Sequence, residues 1–245
     1  MKNRSYRSYS TYRTYFSLCL SFALNENSNI LQKVPNPCSL FLLPCIIINL
    51  CYSFCMNLLE LVTKNRSHRR FQQSEPISME QLRSLVELAR LSPTAGNLQP
   101  LKFILSDDAA RNETIFSCLV WESYIKNSPG PGEGRRPAGY IVILGDTSIT
   151  TDFSCNHGIA AQSILLGATE MGFGGYMFAH IERDRLTSLL GIPDRYEILA
   201  VVALGVPRER AVITEAKNGD VTYWRDINKV HHVPKRALSE IILEL

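Results

Sequence analysis

The stretch that most constrains this chain is a turn, Ser92-Pro93-Thr94-Ala95-Gly96-Asn97-Leu98-Gln99-Pro100. It separates an amphipathic helical pattern from a short apolar strand, Leu101–Leu105. The two prolines fix φ near each end of the turn, and Gly96 permits a bend that a Cβ would resist. Thr94, Asn97 and Gln99 supply hydroxyl and amide groups. These groups could satisfy the backbone of the turn itself, or they could hold the edge of a flat, hydrogen-bonding ligand.

The composition of the chain changes abruptly at Met56. The first 55 residues carry a net charge of +4 and five of the seven cysteines, whereas the remainder carries a net charge of −1. Their longer apolar run, residues 40–55, contains Pro44 and Asn49 and is shorter than the roughly 20 residues that a membrane-spanning helix needs. Three interpretations are open: a targeting segment, a membrane-surface anchor, or an upstream start ahead of a natural start at Met56. We favour the last, and expect residues 1–55 to lie outside a folded domain formed by residues 56–245.

Charge and cysteine usage exclude several classes of function for that domain. A nearly neutral domain gives no electrostatic reason to expect nucleic-acid binding. Its two isolated cysteines, Cys118 and Cys155, are expected to be buried and reduced, as in a cytoplasmic protein. No CxxC pair and no cluster of Cys and His at zinc-ligand spacing occurs, so no metal site is expected.

Helix and strand patterns alternate from Met56 onward. A capping box, Ser78-Met79-Glu80-Gln81, predicts the start of a helix whose apolar face includes Leu82, Leu85 and Ala89. Further helices are predicted over residues 158–171 and 183–190, and further strands over residues 140–144, 172–178 and 197–204. The pattern predicts an α+β fold in which a mixed sheet is flanked by helices.

Two basic motifs flank this pattern. Asn65-Arg66-Ser67-His68-Arg69-Arg70-Phe71 lies near its start, and His232-Val233-Pro234-Lys235-Arg236-Ala237-Leu238 precedes an apolar helix at its end. Together with the turn, these motifs resemble those of the FMN-dependent nitroreductase family over roughly residues 57–245, which implies that family's fold of a central sheet flanked by helices. Two positions depart from the family pattern: Asn65 replaces an arginine, and Leu101 replaces a frequent tryptophan.

The resemblance implies a site for FMN. A guanidinium pairs phosphate oxygens in two places at once, so a basic cluster suits the FMN phosphate. By resemblance, that phosphate is held by Arg66, Ser67, Arg69, Lys235 and Arg236. The isoalloxazine ring and ribityl chain are expected to lie along Pro93, Thr94, Asn97 and Gln99, and the backbone near Phe178 and Ala179 is expected to face flavin N5. No side chain is predicted to act as an acid or base, because the flavin carries the chemistry.

The resemblance also implies a function, an oxidoreductase in which NAD(P)H reduces FMN and an electron-poor acceptor, such as a nitroaromatic or quinone, reoxidises it. A homodimer is implied as well, with both chains contributing to each flavin site. Two alternatives stay open: a related flavin reaction such as reductive dehalogenation or dehydrogenation of a small amide, and a catalytically idle flavin or phosphate binder. His231 and His232 lack carboxylate or cysteine partners at ligand spacing, so surface or capping roles are expected for them.

Overall fold

The computed structural model describes residues 56–121 and 130–244. The segment 1–55 lies outside the described residues, so the three interpretations of it given above stay predictions. The helices are α1 (Leu58–Lys64), α2 (Met79–Leu91), α3 (Ala109–Phe116), α4 (Asn156–Glu170), α5 (Arg183–Leu190) and α6 (Leu238–Ile241). The strands are β1 (Leu101–Ser106), β2 (Gly139–Asp146), β3 (Gly174–Phe178), β4 (Tyr196–Gly205), β5 (Ala211–Glu215), β6 (Trp224–Arg225) and β7 (His231–Lys235).

The main sheet has the strand order β1-β2-β4-β3, and all of its pairings are antiparallel. The predicted strand over residues 140–144 lies within β2, and every residue of β2 is buried, so this strand is covered on both faces. The register between β2 and β4 shifts between Ile143, opposite Ala200, and Leu144, opposite Ile198. Leu199 is therefore an extra residue in β4. On the far side of this bulge, each β4 side chain points to the opposite face of the sheet from the one it would face in an unbroken strand.

Helices cover both faces of this sheet. Alternate residues of β2, Ile141 and Ile143, pack with α2 and α4 in one core, whereas Tyr140, Val142 and Leu144 pack with α3 and α5 in the other. Helix α2 begins with the predicted capping box, in which both reciprocal hydrogen bonds between Ser78 and Gln81 form. The α+β class predicted from the sequence is confirmed.

A second, three-stranded sheet follows the main one in the chain. Its order is β5-β7-β6, with β5 and β7 parallel and β6 and β7 antiparallel. Among the strands named above, mixed pairing occurs in this small sheet, which the sequence patterns did not predict. Lys235 ends a strand here, although the sequence suggested only a segment ahead of a helix.

Three further findings concern the surface of the described residues. Helices α1 and α6 bury none of their residues, and both expose large apolar side chains, including Leu58, Leu59 and Ile241. Cys118 is buried as expected, but Cys155 is exposed at the start of α4, contrary to the prediction. Within 56–121 and 130–244, each helix is too short or too polar to cross a membrane.

Candidate functional site

A cavity of about 340 Å³ lies where the segment after α1 meets β3, α4 and the small sheet. Its cationic lining residues are Arg66, Arg69 and Lys235, and no acidic residue is found among the described residues that line it. Ser67 and Gln162 add a hydroxyl and an amide. Three cations without a carboxylate form an environment that favours a bound anion.

The first basic motif is fixed against β3 by its backbone. Ser67 forms a parallel bridge with Gly175, and the His68 N–H donates to the Gly175 carbonyl at 3.0 Å. A Cβ at position 175 would lie 2.5 Å from Leu165 and 2.9 Å from the carbonyl oxygen of Ala203, so only glycine fits there without a shift of its neighbours. The close approach of the two segments carries Arg66 and Ser67 into the cavity wall.

Arg66 has a donor that none of the described residues satisfies. Its Nη2 donates to the Val62 carbonyl in the last turn of α1, while its Nε is buried without a hydrogen-bond partner. Burial lowers the pKa of the Arg66 guanidinium from its ordinary value. A buried N–H beside an acid-free cavity would be satisfied by an oxygen of a bound anion.

The last strand, β7, contributes alternate residues to the cavity wall. His231, Val233 and Lys235 of β7 all line the cavity, as expected when successive side chains of a strand point to opposite faces. Arg236 does not line it; its Nη1 lies 3.4 Å from the Glu240 carboxylate in an exposed ion pair. The structure therefore brings Lys235 to the cavity but not Arg236, whose contact with phosphate stays a prediction.

His231 differs from its sequence prediction. It is 6% exposed rather than on the surface, and its ring stacks on Tyr223 with centroids 5.0 Å apart. Burial lowers the pKa of His231, and the nearby Arg225 lowers it further. His231, Tyr223, Val233 and Gln162 are lining residues that sequence reasoning missed. A signal existed only for Gln162, which with Ser163 interrupts the small and apolar pattern of α4.

The turn that precedes β1 has an unusual backbone. Gly96, Asn97 and Gln99 all have positive φ, at 56°, 54° and 51°. Gly96 accommodates this readily, but the two amide residues adopt a conformation that costs most residues energy. The turn is stabilised by its own side chains: the Gln99 N–H donates to Thr94 Oγ1 at 3.1 Å, and Gln99 Nε2 donates to Asn97 Oδ1 at 3.2 Å.

Residues 92–100, which form this turn, do not line the cavity. Thr94 and Gln99 line a second groove, of about 440 Å³, beside α2 and β1. Pro93 and Asn97 are exposed and line neither space. One chain therefore does not bring the turn and the basic cluster together.

The predicted residues at the end of β3 also lie apart from the cavity. The Phe178 side chain is 2% exposed and packs edge-on against Trp121 and Tyr176, with ring centroids 4.7 and 4.4 Å away. Ala179 is exposed, and its carbonyl accepts from Arg183 at 3.0 Å. Of the predicted site residues, the cavity brings together Arg66, Ser67, Arg69 and Lys235.

The described residues suit a phosphate group. A dianion would neutralise the three cations and satisfy the unpartnered Nε of Arg66, and Ser67 offers a hydroxyl donor. No group of His, Cys, Asp or Glu side chains in the described part of the chain is arranged to hold a metal ion.

Comparison with known proteins identifies the fold and the family. The model of the nitroreductase family matches residues 62–206. An NADH dehydrogenase of Thermus thermophilus is 25% identical over 174 residues, which are 60% of this chain and 84% of that protein. An NADPH-flavin oxidoreductase of Vibrio harveyi is 23% identical over 168 residues, 62% of this chain and 66% of that protein.

A solved structure has the same fold. The nitroreductase family protein of Clostridium novyi NT superposes with a TM-score of 0.54 at 25% identity, covering 62% of this chain and 88% of that one. The family match covers more than half of the chain and includes the first basic motif and the turn. The chain therefore belongs to the nitroreductase family of flavin-dependent NAD(P)H oxidoreductases.

Proposed function

We propose that this protein binds FMN with its phosphate in the acid-free cavity and passes hydride from NAD(P)H to an electron-poor acceptor of the nitroaromatic or quinone type. The observation that carries the proposal is the convergence of Arg66, Ser67, Arg69 and Lys235 on one cavity in a member of this family. FMN ends in a single terminal phosphate, which suits one compact cationic cluster. The sequence has no glycine-rich dinucleotide fingerprint to favour FAD.

Bound FMN would supply the hydride chemistry, so the protein's own work is binding, orientation and exclusion of water. Arg66, Arg69 and Lys235 would balance the phosphate charge, and Ser67 would donate to one of its oxygens. Desolvated charged hydrogen bonds of this kind would fix one end of the cofactor. No side chain is assigned a proton transfer.

We further propose that a second copy of the chain completes the site. Two observations support this: the turn at Pro93–Gln99 lies away from the cavity of its own chain, and α1 and α6 expose apolar residues without burying any. Among these exposed side chains are Leu58, Leu59 and Ile241, at 67%, 76% and 62% exposure. Surfaces of this kind are commonly covered in oligomers. In such a homodimer, the turn of one copy would lie along the flavin held by the other.

The proposal is tested by turnover of the full chain reconstituted with FMN. Oxidation of NADH and NADPH is followed with p-benzoquinone and with a nitrobenzoate as acceptors, and each is compared with a sample lacking FMN. FMN-dependent oxidation that rises with acceptor, with parallel double-reciprocal plots, is expected for two half-reactions on one cofactor. FMN binding without turnover by either donor would instead indicate a catalytically idle flavin binder.

A further inference from the structure

The small sheet supplies much of the cavity wall, although it lies outside the region matched by the family model, residues 62–206. Tyr223, His231, Val233 and Lys235 all line the cavity. In the register of β6 and β7, Arg225 lies opposite His231 and Trp224 lies opposite His232. Tyr223, Arg225 and His231 therefore share one face of the sheet, while Trp224 and His232 share the other.

The backbone of Arg69 is fixed by a buried carboxylate from the segment that leads into this sheet. The Arg69 N–H donates to Glu209 Oε1 at 2.6 Å, and Glu209 Oε2 accepts from Arg225 at 2.6 Å. The Glu209 side chain is only 5% exposed. Although burial raises the pKa of Glu209, the Arg69 N–H and Arg225 outweigh that effect and leave the pKa below its ordinary value. Glu209 thus remains ionised and anchors Arg69 at its main chain, which leaves the far end of the side chain to be oriented.

That far end lies close to two tyrosine rings. The Arg69 guanidinium carbon is 4.6 Å from the ring centre of Tyr176, on β3, and 5.6 Å from that of Tyr223. A guanidinium held against aromatic faces is attracted to the rings, and its N–H groups point outward in its own plane. Tyr223 is in turn stacked on His231 at 5.0 Å, so the ring that confines Arg69 is itself supported by β7.

We propose that Tyr223 is a positioning residue for Arg69, and that the small sheet thereby sets the preference of the cavity for a phosphate-bearing flavin over the same flavin without phosphate. The inference rests on the proposed function, because it takes the cavity as the phosphate site. Tyr223 acts through Arg69 and not through the isoalloxazine ring, so its loss should weaken binding of FMN but not of riboflavin, which lacks the phosphate.

The neighbouring residue provides a matched control. Trp224 stacks on His232 with centroids 4.9 Å apart and does not line the cavity. Tyr223 and Trp224 are 41% and 47% exposed, so leucine at either position leaves the buried cores intact. The two substitutions therefore remove equivalent ring-on-histidine contacts from opposite faces of one sheet.

The experiment measures the affinities of the flavin-free full chain for FMN and for riboflavin by quenching of flavin fluorescence. Tyr223→Leu should bind FMN on the order of tenfold more weakly, the size expected from loss of a cation–π contact and of the orientation it provides, while riboflavin affinity stays within about twofold. Tyr223→Phe retains the ring and should retain the FMN preference. Trp224→Leu should match the parent with both flavins.

Two results with Tyr223→Leu would overturn the inference alone: a parent-like FMN preference, or an equal loss of affinity for both flavins, which would assign Tyr223 a purely structural role. Loss of the FMN preference in Trp224→Leu as large as in Tyr223→Leu would also overturn it. A parent chain that binds neither flavin, or binds both equally, would overturn the proposed phosphate site and the inference with it.

Discussion

Replacement of Arg66 by methionine should weaken FMN binding without lowering the stability of the flavin-free protein. Within the described part of the chain, the Arg66 Nε is buried without a hydrogen-bond partner, and a buried unsatisfied polar group costs about 1–3 kcal/mol. Methionine keeps the apolar stem but removes this group. It also removes the hydrogen bond to the Val62 carbonyl, whose net contribution to stability is about 1 kcal/mol. The free energy of unfolding of the flavin-free protein should therefore stay the same or rise slightly.

Binding of FMN should weaken in the same variant. A hydrogen bond to a charged group contributes about 1.5–3 kcal/mol, so loss of the Arg66 contact with phosphate should weaken FMN affinity about 10- to 100-fold. Thermal unfolding with and without FMN measures both effects together: Arg66→Met should lose most of the FMN-induced rise in Tm. Arg111→Met, at an exposed arginine near the start of α3, is the control and should behave as the parent does. An undiminished FMN-induced rise in Arg66→Met would refute the assignment of Arg66 to the phosphate.

Four further outcomes are expected. Lys235→Ala should weaken FMN affinity about tenfold, and more than Arg236→Ala, since the Arg236 side chain pairs with Glu240 outside the cavity; equal losses in an FMN titration would contradict this order. Asn97→Ala should keep turnover low even at saturating FMN, and full recovery of NAD(P)H oxidation on adding FMN would remove the turn from the ring site. A chain that begins at Met56 should keep flavin and activity, and an insoluble or flavin-free product would make residues 1–55 part of the fold. Burial lowers the pKa of His68 below the unfolded value near 6.5, so acid should lower the free energy of unfolding of the flavin-free protein by up to about 1.4 kcal/mol per pH unit through this histidine. Equal free energies of unfolding by denaturant at pH 5.5 and pH 7.5 would contradict this.

The main sheet and its helices could be predicted because local chemistry and tertiary packing agree there. The capping box at Ser78 satisfies the first amides of α2 whatever surrounds it. The continuous apolar run of β2 has no solvent-facing alternative, so its burial on both faces follows from composition. Gly96 likewise indicated the bend of the turn, but nothing local indicated that Asn97 and Gln99 would share its left-handed conformation.

The small sheet could not be predicted because it depends on distant contacts. Strand β6 has two residues, and β5 buries none of its five residues and so presents no strong apolar face. The distinction between Lys235 and Arg236 follows only from their position relative to β7, since adjacent strand residues face opposite ways. Burial of His231 has the same origin. The motifs therefore predict which residues belong to the site. Their arrangement depends on the register of strands, which the motifs do not specify.

The most direct test of the FMN site is the identity of the flavin that the purified full chain carries. The protein is denatured, and the released chromophore is separated by chromatography beside FMN, FAD and riboflavin standards. We expect a yellow protein, or one that becomes yellow on reconstitution, and release of FMN alone, because the acid-free cluster of Arg66, Arg69 and Lys235 suits one terminal phosphate. Release of FAD, or a colourless protein that cannot be reconstituted with FMN, would contradict it.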